Sequence, residues 1–191
     1  MAPKQTPSQT IGPFFAYGLT PEQYGYDYKQ LAGNTLPEES AERVRIRGQV
    51  FDGNGESIRD AMLEIWQADS QGRYAQPGNP RVANTKFSGF ARFSTGTLAN
   101  DFYEFETVKP GAIGDGQAPH IAVVIFMRGL LNHVYTRIYF PDETSANETD
   151  PVLSLVDPAR RDTLIAQQEA AASYRFDVHM QGERETVFFD P

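Results

Sequence analysis

The sequence implies an all-β chain: an antiparallel β-sandwich over residues 43–191, with an extended N-terminal arm over residues 1–42 and one helix near the C-terminus. Three observations lead there. From Arg43 onward, short apolar runs of strand length recur between Gly, Pro and Asp. Before Arg43, Pro3, Pro7, Pro13, Pro21 and Pro37 are interspersed with Gly12, Gly18, Gly25 and Gly33, a pattern that sustains neither helix nor strand. Only one later stretch reads as helical.

The arm also carries Phe14, Phe15, Tyr17, Tyr24, Tyr26 and Tyr28. Disordered tails are poor in aromatics, so the arm lies on a surface, either its own domain or a partner chain. At its end, "RVRIRGQV" alternates strictly, with Val44, Ile46, Gly48 and Val50 on one face of a half-buried strand. "DGNG" (52–55) is a turn, and "AMLEIWQAD" reads as the returning strand. "FARFS", "YEFET", "HIAVVIFM", "YTRIYF", "YRFDV" and "TVFFD" supply further strands. The helical stretch is "DPARRDTLIAQQEAA", with Asp157 as N-cap and Pro158 at the first helical position.

Bulk composition limits the function classes. The 191 residues are 40% hydrophobic and 22% charged, the balance of a folded globular protein. A net charge of -8 argues against a nucleic-acid or anionic-membrane surface, and an anionic small substrate needs a local cation. Without cysteine there is neither a disulfide framework nor a thiolate metal site. "MAPKQTPSQTIGPFF" lacks the apolar core of a signal peptide, and "IAVVIFM" (121–127) is too short to cross a bilayer, so the expectation is a soluble, cytoplasmic protein.

Few residues carry chemistry by themselves. "GNG" is a hairpin turn rather than a phosphate cradle, and no G-x-S-x-G elbow or cysteine nucleophile occurs. There are three histidines, His120, His133 and His179; a lone strand histidine is more often a satisfied structural residue than a ligand. His120 opens the apolar run "HIAVVIF", and the residue that shares its face two positions on is Ala122. Arg128 ends the same run, where an arginine needs either solvent or a carboxylate.

Taken together, "TPSQTIGPFFAYGL", "VFDGNGESIRDAMLEIWQADSQGRY", "ETVKPG", "APHIAVVIFMRGL", "TRIYF" and "GERETVFFD" resemble the intradiol ring-cleaving dioxygenases, from about residue 6 to the C-terminus. The resemblance implies a β-sandwich. It also implies chemistry at one Fe(III) held by two tyrosines and two histidines, with phenolates stabilising the ferric state and a catechol binding through both hydroxyls before O2 attacks the ring. The second tyrosine and the histidine pair sit in P-G-x-Y and H-x-H motifs.

This chain departs from that pattern. Tyr74 in "QGRY" and His120 in "APHIAV" match ligand positions, but "KPGAIGDG" puts Ile113 at the second tyrosine and Ala122 stands at the second histidine. Apolar side chains donate no electron pair, so the expectation is no metal in this chain: Tyr74, Ile113, His120 and Ala122 are the positions of a degenerate site. In this family such α chains pair with an iron-bearing β chain, and the resemblance implies a shared active site with Fe(III) bound by the β subunit. The enzyme would then be active only as an α–β hetero-oligomer acting on a small aromatic acid and O2. From this chain the matching substrate-pocket positions are Thr10, Gly12, Pro13, Phe14 and Arg128. Relatives often have tyrosine where Phe14 stands. The alternative is a structural or small-ligand-binding β-sandwich module with no catalytic partner.

Overall fold

The computed structural model describes residues 15–36, 41–75 and 87–190. Among them, strands in sheets dominate. Strands β1 (Arg43–Gly48), β2 (Val50–Phe51), β3 (Ala61–Gln67), β4 (Phe90–Ser94) and β5 (Tyr103–Val108) precede β6 (His120–Met127) and β7 (Val134–Tyr139). Short β8 (Gln167–Ala170), β9 (Ser173–Arg175) and β10 (Val178–His179) close the chain. One sheet has the order β5-β1-β9-β8, a second β4-β3-β6-β7, and β10 pairs with β2.

Alternation explains the core. In β1, Val44, Ile46 and Gly48 are buried while Arg43 and Arg45 are exposed. In β6, Ile121, Val123 and Ile125 point inward, where they join Ile46 and Phe105 of the other sheet and Leu63, Ile65 and Phe93 of their own in one apolar cluster. Polar bonds also tie the sheets together. The buried Gln67 side chain of β3 donates to the Val108 carbonyl (2.9 Å) and accepts from the Thr107 hydroxyl (2.7 Å) of β5. The Tyr103 hydroxyl donates to the Phe176 carbonyl beside Gly48, where a Cβ would stand 1.7 Å from that oxygen.

Four expectations are corrected. The sheets are not wholly antiparallel, because β1 pairs with β9, and β2 with β10, in parallel. The segment after "DGNG" does not return beside its predecessor; a single Phe51–Ser57 bridge closes the turn, and β3 joins the other sheet. "TVFFD" forms no strand, only a bridge between Phe189 and Tyr135. Asp157 does cap a helix, accepting from the Ala159 N–H (2.9 Å), but that helix is a 3₁₀ segment, Pro158–Leu164, and Gln167–Ala170 is extended as β8. Two short α-helices were not anticipated, α1 (Phe15–Leu19) and α2 (Thr144–Thr149).

The part of the N-terminal segment within the described residues is tied to its own sheets. The Thr20 hydroxyl meets that of Ser94 at 2.8 Å, Arg92 N–H donates to the Gly33 carbonyl, and Leu36 N–H donates to that of Glu106. No helix among the described residues is long and apolar enough to cross a membrane.

Candidate functional site

Three of the four positions that the resemblance matches to ligands, Tyr74, His120 and Ala122, lie at the β4-β3-β6-β7 sheet. In the strand register, Trp66 of β3 lies beside Ala122 of β6, and Ala122 beside Arg137 of β7. One step along, His120 pairs with Tyr139. Tyr74 stacks on Trp66, ring centroids 6.1 Å apart and nearly parallel at 7°. Ile113 lies in the loop before β6, bridged to Gln117. Sequence reasoning missed Arg137, which lies cross-strand from the alanine where a second imidazole would sit.

His120 is buried. Its Nδ1 lies 2.8 Å from the Ala118 carbonyl, an acceptor only, so Nδ1–H donates and Nε2 keeps the lone pair. Metal-binding histidines are commonly oriented this way, with one ring nitrogen anchored to a carbonyl and the other presented to the metal. Burial, followed by the Arg137 charge, lowers its pKa to about 4, so the ring is neutral. The turn before it is fixed by Asp150, fully buried, which accepts from the N–H groups of Ala118, Val152 and Leu153, each at 2.8 Å. Asp150 also accepts from the Tyr139 hydroxyl at 3.2 Å, and burial raises the Tyr139 pKa to about 12.

Arg137 is held by three groups. Its Nη1 donates to the Gln117 amide oxygen (2.9 Å) and the Tyr139 hydroxyl (3.2 Å), and the guanidinium carbon lies 5.9 Å from the centre of the Phe189 ring. Burial raises the Tyr74 pKa while Arg137 opposes that rise. The donor set does not fit the family's metal. Of the four positions, Ile113 and Ala122 have no lone pair, and among the described residues no group of three or more His, Asp or Glu could hold an ion.

A second region lies at the far end of β6. Arg128 is well exposed and ion-paired to Asp60 (Nε–Oδ2 3.0 Å), each just beyond the paired ends of β6 and β3. Together with Tyr17, Tyr24, Arg59 and Met127 they line an open cleft of about 580 Å³. Phe15, within the arm, packs on Phe126, centroids 6.4 Å apart and two residues from Arg128 along the chain. Thr10, Gly12, Pro13 and Phe14 lie outside the described residues.

Fold and site together define a mostly β scaffold with a buried histidine, a stacked tyrosine and an anchored arginine grouped at one sheet. A family model described as Dioxygenase_C, Dioxygenase, matches residues 12–182, and the chain belongs to this intradiol dioxygenase family, which is iron-dependent. It is 54% identical over 98% of both chains to a protocatechuate 3,4-dioxygenase alpha chain from Burkholderia cepacia, and 43% identical over 97% of this chain and 96% of the relative to one from Pseudomonas putida. A protocatechuate 3,4-dioxygenase beta chain from Burkholderia cepacia is 30% identical over 78% of this chain and 68% of its own. In fold, the chain matches an intradiol ring-cleavage dioxygenase from Tetranychus urticae with a TM-score of 0.63 at 20% identity, covering 81% of this chain and 88% of that one.

Proposed function

We propose that this chain is the α subunit of a protocatechuate 3,4-dioxygenase, a β-sandwich that walls an active site whose ferric ion is held by a β subunit. The assembled enzyme cleaves 3,4-dihydroxybenzoate with O2 between its two hydroxyls, giving 3-carboxy-cis,cis-muconate, a step in aromatic catabolism. The single observation that carries this is near-full-length likeness to alpha chains combined with Ile113 and Ala122 at ligand positions.

This chain's part is to bind and orient. Arg128, well exposed although paired with Asp60, offers its guanidinium to a substrate carboxylate as the local cation that an acidic chain needs. Residues 1–42 form the arm and pack on the partner, with Thr10, Gly12, Pro13 and Phe14 reaching the shared pocket; residues 43–191 form the sandwich. Gly12 permits close backbone approach to a planar ring, and Pro13 stiffens the chain beside it. The approach of Phe15 to Phe126 supports this, and so do the exposed, mutually packed rings of Tyr17, Tyr26 and Tyr28, an aromatic patch suited to a protein partner. The complex works in the cytoplasm.

The test is expression of the chain alone and with a candidate β chain, measuring bound iron, the visible tyrosinate-to-iron band and ring cleavage. Colourless, iron-free α with a coloured, active complex is the expected result. Iron and colour in α alone would sink the assignment. No complex with any β chain would favour the structural-module alternative.

A further inference from the structure

We infer that Arg137 stands in for the missing metal: its guanidinium is the resident cation of the degenerate site, and it excludes iron independently of the two lost ligands. This rests on the reading of Tyr74, Ile113, His120 and Ala122 as former ligand positions. Loss of ligands alone leaves a different prediction, in which replacing the ligands restores the metal.

The strand register carries the argument. Residues directly opposite on neighbouring strands have Cβ atoms only about 5 Å apart and share a face. Arg137 is opposite Ala122 and therefore projects where an imidazole at position 122 would lie. Its partners set its position. Gln117 and Tyr139 both accept from Nη1, and the Phe189 ring takes one face, so the group is anchored and not a loose surface arginine. Both partners flank His120, one in the turn before it and one directly across from it.

Chemistry makes the substitution one-way. Arginine keeps its proton at any accessible pH and has no lone pair to give, so unlike a lysine or histidine it cannot yield its charge to an incoming cation. A ferric ion beside it would meet like charge in a partly desolvated site. The guanidinium also answers what the metal once answered, a positive charge near a phenol and a histidine whose Nε2 lone pair is turned away from its backbone anchor. Its charge thus serves in place of the metal's without redox chemistry.

The experiment uses the full chain, expressed with its β partner to secure folding and then separated. The ligand-restored variant Ile113→Tyr/Ala122→His is compared with the same variant carrying Arg137→Gln, which keeps an amide donor for Gln117 but no charge. Ferrous iron is added under air, and bound iron and the tyrosinate-to-iron band are read. The double variant is expected to stay colourless, and the triple to take up about one iron per chain with a visible band. Equal iron and equal colour in both overturns the inference, as does a folded triple variant that binds none. Should Arg137→Gln impair folding, Arg137→Met keeps the packed stem without the charge and is read the same way. Iron in the unmodified chain would instead overturn the degenerate-site reading itself.

Discussion

His120 makes the pH response of this chain predictable. The ring is neutral when folded, with a pKa of about 4 against an ordinary 6.5, chiefly because burial penalises the imidazolium. A histidine with a lowered folded-state pKa keeps its full contribution above the unfolded value and loses it as pH falls, because the unfolded chain then binds the proton more readily. The window therefore runs from pH 6.5 down to about 4. Linkage between those two values gives a loss of about 2 kcal/mol at pH 5 and about 3 kcal/mol at pH 4 relative to pH 7.

The perturbation that isolates this is His120→Asn, whose amide nitrogen can still donate to the Ala118 carbonyl as Nδ1–H does. Urea unfolding, followed through the single tryptophan, Trp66, at pH 7 and pH 5, gives the stability of each form. Carboxylate pairs contribute acid sensitivity to both forms, so the quantity read is the difference between their losses. The wild-type chain should lose about 2 kcal/mol more than the variant over that interval. Because burial outweighs the Arg137 charge as a cause, adding salt should narrow the difference only slightly. Equal losses in the two forms would mean that His120 is hydrated, or protonated, in the folded chain, and the reasoning fails.

In the assembled enzyme, Arg128→Ala should weaken use of 3,4-dihydroxybenzoate by roughly 2 kcal/mol in kcat/KM while sparing unsubstituted catechol, and equal loss on both substrates would remove the carboxylate role. Deleting residues 1–14 should depress the activity of the complex but leave the circular dichroism of this chain unchanged, since the bonds of Thr20, Gly33 and Leu36 to the sheets lie beyond the cut; full activity would refute a role for the arm. Asp150→Ala leaves two buried N–H groups and a partly buried one without acceptors and should cost about 3 kcal/mol in urea unfolding, a loss under 1 kcal/mol showing that water replaces the carboxylate.

Where local pattern and tertiary packing agreed, the elements were legible. The alternation of β1 and β6 predicts which side chains enter the core, and Asp157 before Pro158 marks a helix start whose cap is present. Beyond the cap, packing prevailed over propensity. Leu164 is fully buried and Ile165 bridges to Tyr139, so the chain is pulled flat against the sheet and Gln167–Ala170 pairs with β9, although "LIAQQEAA" favours helix. The parallel pairs β1–β9 and β2–β10 join segments far apart in sequence, which no local pattern reveals.

The degenerate site divides along the same line. The sequence shows Ile113 and Ala122 directly, in motifs where the resemblance expects a tyrosine and a histidine. It does not show their surroundings, because those depend on which β7 residue faces Ala122. A faint signal existed. "VYTRIYF" puts Tyr135, Arg137 and Tyr139 on one face, and a cation between two phenols on a strand near a histidine is unusual for a solvated surface. The buried polar atoms around His120 still need partners once coordination is gone, since an unmatched one costs more than a matched one returns. Here Ala118 satisfies Nδ1, Asp150 satisfies the turn and the Tyr139 hydroxyl, and Tyr139 with Gln117 holds Arg137. These bonds form one continuous polar network around His120. A chain given His at position 122 would have to rearrange that network before the new imidazole could bind a metal.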